Sequence, residues 1–127
     1  MKKGFTLIEL IIVIIIVGIL ASLGFTQYSK TIEKGRTAEA KAVLGGLRTG
    51  ETTYNQQYST YTASIDNLDV VAPTSCSSTH YFSYAVSTST GTATRCTANG
   101  KTPNVGDAYS VTLEYATGVW SGTAGYY

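Results

Sequence analysis

Charge is what this chain has least of. Only 13% of its 127 residues are Asp, Glu, Lys or Arg, about half the usual share. Nine basic and eight acidic side chains leave a net charge of +1, so the whole chain presents no electrostatic case for nucleic acid and no specific nucleic-acid partner is expected. Histidine is almost absent: His80 stands alone, and its neighbours Ser77, Ser78 and Thr79 form no nucleophile motif. Cys76 and Cys96 are the only cysteines, and no second ligand pair accompanies them to hold a metal. Asp66, Asp69 and Asp107 lack the alternating spacing of a calcium loop and read as solvated turn residues. There is no glycine-rich phosphate loop and no paired-carboxylate arrangement. Catalytic, metal and cofactor residues are therefore expected to be none, and the chain reads as no enzyme. A length of 127 residues also excludes a two-domain enzyme.

Two things are abundant. Ser and Thr number 32, so hydroxyls make the surface polar where charge does not. Apolar residues crowd the N-terminus: between Phe5 and Phe25 only Thr6, Glu9 and Ser22 are polar. Phe5 to Thr26 is 22 residues. At 1.5 Å per residue a helix of that length spans roughly 33 Å, enough for one tilted crossing of a hydrocarbon core. The Ile and Val content would suit a strand in a soluble core. A lone strand in lipid cannot satisfy its own backbone, so the segment is expected to be helical. Lys2 and Lys3 place the N-terminus on the cytoplasmic side. A secretory signal cut near Leu20-Ala21-Ser22 and a plain anchor are the competing readings, and neither accounts for Glu9. A carboxylate in an apolar run costs about 2.5–3.5 kcal/mol on insertion scales and is treated as functional.

Lys3-Gly4-Phe5-Thr6-Leu7-Ile8-Glu9-Leu10 resembles the prepilin signature of type IV pilins and type II secretion pseudopilins. The likeness is close over residues 3–25, and a looser similarity of layout reaches about residue 70. It implies a leader of residues 1–4, cleavage between Gly4 and Phe5 by a prepilin peptidase, and N-methylation of Phe5. Glu9 falls at the fifth mature position, where the family has its glutamate, and with Phe5 it is implied in subunit assembly. One departure is Thr26, which stands where many pilins carry a helix-bending proline. Gly18 and Gly24 are then the nearest places for any bend or melting. Loss of Lys2 and Lys3 with the leader leaves seven basic against eight acidic side chains, a sum of −1 before the termini.

Residues 27–58 continue the helix in amphipathic form. Ala40, Val43, Leu44, Leu47, Tyr54 and Tyr58 recur at helical spacings. Lys30, Glu33, Lys34, Arg36, Glu39, Lys41, Arg48 and Glu51 fall between them. In an isolated domain these charges form a solvated face; in a filament, complementary charges there can set register between subunits. Residues 59–127 form the head. A loop is expected over residues 59–78, with a short helix at Ser64 to Leu68. Strands are expected at Tyr81–Ser87, Thr92–Ala98, Tyr109–Tyr115 and Val119–Thr123, with the first turn at Ser89-Thr90-Gly91. The fold class is α+β: a long N-terminal helix packed against a small C-terminal antiparallel sheet of about four strands, the pilin fold. The ten tyrosines read mostly as core and sheet residues. A head of about 70 residues is small for apolar burial alone. Cys76 and Cys96 flank the first hairpin on the exported side, so a disulfide between them is expected.

The resemblance implies a structural subunit that forms a homo-oligomeric helical filament at the cell surface, in adhesion, motility or a related role. Its partners would be the prepilin peptidase, the inner-membrane assembly platform and, before assembly, the membrane, which it crosses once with its head outside the cytoplasm. A secretion pseudopilin is the alternative. The family's major pseudopilins typically lack such a cysteine pair and carry an acidic calcium site near the C-terminus. The tail from Trp120 to Tyr127 has no acid, which favours the pilus. A secreted binding module released by ordinary signal cleavage is a third reading.

Overall fold

The computed structural model describes residues 3–101 and 108–127. Asp107, one of the expected turn residues, and Lys2 lie outside them, as does the first half of the leader segment. One helix, α1 (Leu7–Tyr58), occupies 52 residues and is about 78 Å long. Gly18 and Gly24 lie within unbroken helix. The helix ends at Ser59, whose left-handed φ of 58° and N–H donated to the Asn55 carbonyl close the last turn. A loop with a single 3-10 turn at Ile65–Asn67 follows, and then four strands: β1 (Phe82–Val86), β2 (Thr90–Arg95), β3 (Ser110–Glu114) and β4 (Trp120–Gly122). They pair in sequence order as an antiparallel sheet, β1-β2-β3-β4. The chain is α+β and pilin-like, as read from the sequence.

The two halves of α1 meet different surroundings. Every large apolar side chain from Leu7 to Phe25 is at least 41% exposed, and an 18-residue window reaches a mean hydropathy of 2.9. Ser22 and Thr26 donate their hydroxyls to the carbonyls of Ile19 and Leu23, which hides their polarity within the helix itself. The second half packs on the sheet. Ala40, Leu44 and Leu47 are buried against Phe82, Tyr84, Ala93, Tyr109, Val111 and Leu113. These sheet residues share one face because side chains alternate along a strand. Ser83, Thr92, Thr94, Thr112 and Ser121 take the other, and the Thr92 and Thr112 hydroxyls bond across it at 3.2 Å.

Three sequence expectations need correction. Glu33 and Glu51 do not lie on a solvated face: they are buried, on the same stripe as Ser29, Thr37, Ala40, Leu44 and Leu47. Tyr58 leaves the stripe and is exposed, its ring tilted against that of Tyr54 with centroids 4.5 Å apart. The second strand is Thr90–Arg95 and not Thr92–Ala98, because the turn is tighter than its sequence suggests. Ser87 accepts from the N–H groups of Ser89 and Thr90 through its hydroxyl, which closes the hairpin so that Val86 already pairs with Gly91. Gly91 is there for a different reason. A Cβ on it would stand 3.2 Å from both Leu44 Cδ2 and the Tyr115 hydroxyl, so the missing side chain makes room for the helix and for Tyr115 against β2.

Gly122 closes the last strand at φ 131°, where a Cβ would stand 2.3 Å from the Ser110 carbonyl oxygen. Backbone cannot yield as a flexible side chain does. Gly122→Ala is therefore expected to break the β3–β4 pairing and to cost roughly 1–3 kcal/mol. Urea unfolding of the detergent-solubilised chain checks it. An unchanged midpoint would show that β4 contributes nothing to the fold.

Candidate functional site

The segment singled out in the sequence sits at the tip of the exposed half of α1. Thr6 is the N-cap, in extended conformation, and forms a capping box with Glu9. The Glu9 Oε2 accepts from the Thr6 N–H at 2.8 Å and from its hydroxyl at 2.7 Å, while the same hydroxyl accepts from the Glu9 N–H at 3.3 Å. A carboxylate in this apolar stretch is thus held by two donors of its own chain. Gly4 and Phe5 precede the cap and are outside the helix; Phe5 is 93% exposed, and beyond the adjoining residues nothing described stands within 4 Å of where a Cβ on Gly4 would be. The Gly4–Phe5 peptide is accordingly open to another molecule. Hydrolysis there would leave the capping box intact, since both its partners lie after the cut, and would place an amine at Phe5. Such an amine has a reference pKa near 7.7–8.0 and is mostly cationic at neutral pH.

A second polar group sits where α1 leaves its exposed half. Glu33 receives the Arg95 guanidinium through two bonds, Nε to Oε2 at 3.0 Å and Nη2 to Oε1 at 3.1 Å. The Tyr109 hydroxyl donates to Oε2 at 3.0 Å, and Arg36 Nη1 reaches Oε1 at 2.5 Å. Arg95 also donates through Nη1 to the carbonyl of Cys96. Arg36 and Arg95 lie over the ring of Tyr81 at 4.3 and 5.0 Å. Burial by itself would raise the Glu33 carboxyl, but Arg95, Tyr109 and Arg36 outweigh it and hold it below the usual carboxylate value. The same burial and the nearby Glu33 push the Tyr109 hydroxyl well above its ordinary value. The cluster joins the helix to β2 through Arg95 and to Tyr109, the residue before β3. It fixes the head on the helix.

Glu51, lower on the same stripe, is the opposite case. Its Oε2 accepts from the Thr62 N–H at 2.9 Å, and its Oε1 is buried without a partner among the described residues. Desolvation raises its carboxyl above the usual value, only partly offset by the Thr62 bond. A raised carboxyl pKa destabilises the fold above that pKa, where the group must ionise in place, and costs nothing below the unfolded value near 4.3. Glu51→Gln keeps an oxygen for Thr62 and cannot ionise. The variant should melt higher than the wild type at pH 7, with the difference vanishing at about pH 4. Equal melting temperatures at pH 7 would contradict this assignment.

The remaining candidates separate clearly. Cys76 and Cys96 are joined by a disulfide, with Cα atoms 5.7 Å apart, that brackets the first hairpin. Closing a loop of that length is worth about 3 kcal/mol in the chain-entropy model. His80 donates from Nε2 to the Ser75 carbonyl at 2.8 Å, and its Nδ1 lies 3.2 and 3.1 Å from the hydroxyls of Ser77 and Thr79. This arrangement staples a loop. Asp66 and Asp69 are exposed, and no group of three metal-binding side chains occurs among the described residues. Reasoning from sequence missed Thr6 as the partner of Glu9, and missed Arg95 and Tyr109 as the partners of Glu33. A capping-box pattern, Thr6-x-x-Glu9, was the available signal for the first.

Residues 1–25 match the family described as the prokaryotic N-terminal methylation motif. The chain is similar to a "Fimbrial protein" of Neisseria meningitidis, 31% identical over 99 residues that cover 78% of this chain and 58% of that protein. A "Fimbrial protein" of Moraxella nonliquefaciens is 46% identical over 55 residues, 43% of this chain and 36% of the relative. A "Type IV major fimbrial protein FimA" of Dichelobacter nodosus is 43% identical over 49 residues, 39% and 31% of the two chains. The chain thus spans less than two thirds of each of these relatives. The likeness read from residues 3–10 is borne out by these matches.

Proposed function

We propose that this chain is the structural subunit of a type IV pilus, polymerising through its N-terminal helix into a cell-surface filament. The observation that carries the reading is the division of α1. Its first half, through Phe25, is apolar and wholly uncovered, while its second half is built into the head. An uncovered apolar helix of that length needs lipid or other copies of itself around it. Before assembly the segment from Phe5 to Thr26 crosses the inner membrane, with Lys2 and Lys3 on the cytoplasmic side and residues 59–127 outside. A prepilin peptidase removes residues 1–4 at Gly4–Phe5 and methylates Phe5. On an assembly platform in that membrane, the helices then exchange lipid for one another.

Glu9 acts in that exchange. Its own Phe5 amine, within the same first turn, is an awkward partner. A neighbouring copy shifted along the axis brings its Phe5 amine to Glu9 directly. The pair need not add net stability over an apolar substitute; it fixes register as subunits add. The similarity to fimbrial proteins supports this reading, and so does the methylation motif over residues 1–25. Two measurements test it together. Electron microscopy of sheared surface fibres should show filaments built of this chain, and mass spectrometry should find mature protein beginning at methylated Phe5. A mature start after Ala21 would overturn it in favour of a secreted module. Short periplasmic assemblies without surface fibres would overturn it in favour of a secretion pseudopilus.

A further inference from the structure

Beyond the apolar half of α1, most charged side chains among the described residues are engaged within the chain. Glu33 holds Arg95 and Arg36, and Glu51 accepts from Thr62. Arg48 donates to the Tyr115 carbonyl at 2.9 Å. Lys41 and Lys101 lie over the rings of Trp120 and Tyr81 at 5.7 and 4.1 Å. Glu39 accepts from the Tyr81 N–H at 3.4 Å, and Glu114 from the Thr117 hydroxyl. Lys30, Lys34, Asp66 and Asp69 are the exceptions: all four are exposed, and none has an ionic, hydrogen-bonded or ring partner for its side chain. Two are cations and two are anions.

Their placement is as informative as their signs. Lys30 and Lys34 are four residues apart, on one face of α1. Each follows a head-facing residue, Ser29 or Glu33, and so projects about 100° around the helix from it. The loop bearing Asp66 and Asp69 lies beside a later part of the helix. Its Val70 and Leu68 side chains stand 3.2 and 3.5 Å from where a Cβ on Gly50 would be. Gly50 is 16 residues beyond Lys34, or about 24 Å along the axis. The lysines and aspartates of one chain therefore cannot meet. A second copy displaced by about 24 Å along the axis brings its aspartate loop level with Lys34, and about 30 Å aligns it with Lys30.

We propose that Lys30 and Lys34 of one copy receive Asp66 and Asp69 of a second copy, a contact that rests on the filament reading above. It belongs to a different pair of neighbours from the Phe5–Glu9 contact, which needs a displacement of only about 6 Å. Complementary signs at such a site select register and reject misaligned copies more than they add affinity. The helix charges thus divide the work: the acids hold the head, and the unpaired lysines face the neighbour.

Wild-type filaments treated with a zero-length carbodiimide, which joins amines only to adjacent carboxyls, test the contact directly. Cross-linked peptides uniting Lys30 or Lys34 with Asp66 or Asp69 are expected. Lys34→Glu combined with Lys30→Glu should lower filament number roughly tenfold or more, since like charges brought together across an interface are costlier than a lost pair. Adding Asp66→Lys and Asp69→Lys should restore assembly. Filaments unaffected by the lysine reversals would overturn the contact, as would an assembly loss that the reciprocal reversal fails to restore, which would point instead to acidic lipid headgroups on the lysines. Absence of filaments from the wild type itself would instead count against the filament reading.

Discussion

Glu9→Ala is expected to yield a processed, membrane-inserted protein that makes at least roughly tenfold fewer filaments. Removing a carboxylate from an apolar helix relieves about 2.5–3.5 kcal/mol of insertion cost, so insertion should improve if it changes at all. The loss of the capping box, worth about 0.5–2 kcal/mol, frays only the first turn. A fall in filament number then reports on a step after insertion. Glu9→Gln separates the two roles that the structure gives this side chain. Glutamine serves a capping box as well as glutamate does, but it cannot pair with the Phe5 amine. If Glu9→Gln assembles normally, Glu9 is a cap and the register role is wrong. If it fails as the alanine variant does, charge is what matters. Leader removal, read by mass, and membrane fractionation check that both variants reach the assembly step.

The second large effect concerns Arg95. Replacing it with methionine leaves Glu33 buried, with Arg36 and Tyr109 as remaining donors and its bidentate partner gone. Breaking a buried pair from one side typically costs about 3–5 kcal/mol, a large part of the roughly 5–15 kcal/mol that holds a domain together. Arg95→Met should therefore leave the head largely unfolded in urea concentrations that the wild type withstands. Glu33→Leu combined with Arg95→Met should recover much of the loss, because no charge is then left buried. Near-ultraviolet circular dichroism of the detergent-solubilised protein, with the disulfide intact, follows the transition. The wild-type contribution of Glu33 also has a pH signature. A carboxyl held below its unfolded value stabilises fully above that value, near 4.3, and loses its contribution as pH falls through the folded value. Acid should loosen the attachment of head to helix where it relieves Glu51. A single-mutant midpoint equal to that of wild type would show the cluster to be dispensable.

The parts of this molecule that sequence made legible are those whose signal is local. The apolar run and the signature around Gly4, Phe5 and Glu9 lie within one span, and the alternation of Tyr109, Val111, Leu113 and Tyr115 gives β3 within a residue at each end. The cysteines could be paired because only one pairing exists. What stayed hidden depends on partners far along the chain. Glu33 looks like a surface residue until Arg95, 62 residues later, arrives with two bonds. The head-facing stripe of α1 begins Ser29, Glu33, Thr37, so hydrophobic periodicity, which starts at Ala40, begins about three turns too late to trace it. Gly91 was read as a turn residue because glycine marks turns; it is in the strand because the helix passes over it. Each miss is a case of tertiary contact overriding a local rule.

The two buried glutamates also have a mechanical consequence. Glu33 and Glu51 hold the head at points 18 residues apart on one continuous helix, about 27 Å from each other along its axis. Swivelling about either point is blocked by the other, as with a plate fixed by two bolts. With 1 Å of play at each end, the permitted tilt is only about 4° over that lever arm. The direction in which each head faces is therefore set within the single chain, before any neighbour touches it. A filament built from such units inherits its outer surface from the angle at which each helix enters, and stiffness at this joint carries bending or twisting of the shaft straight out to the heads.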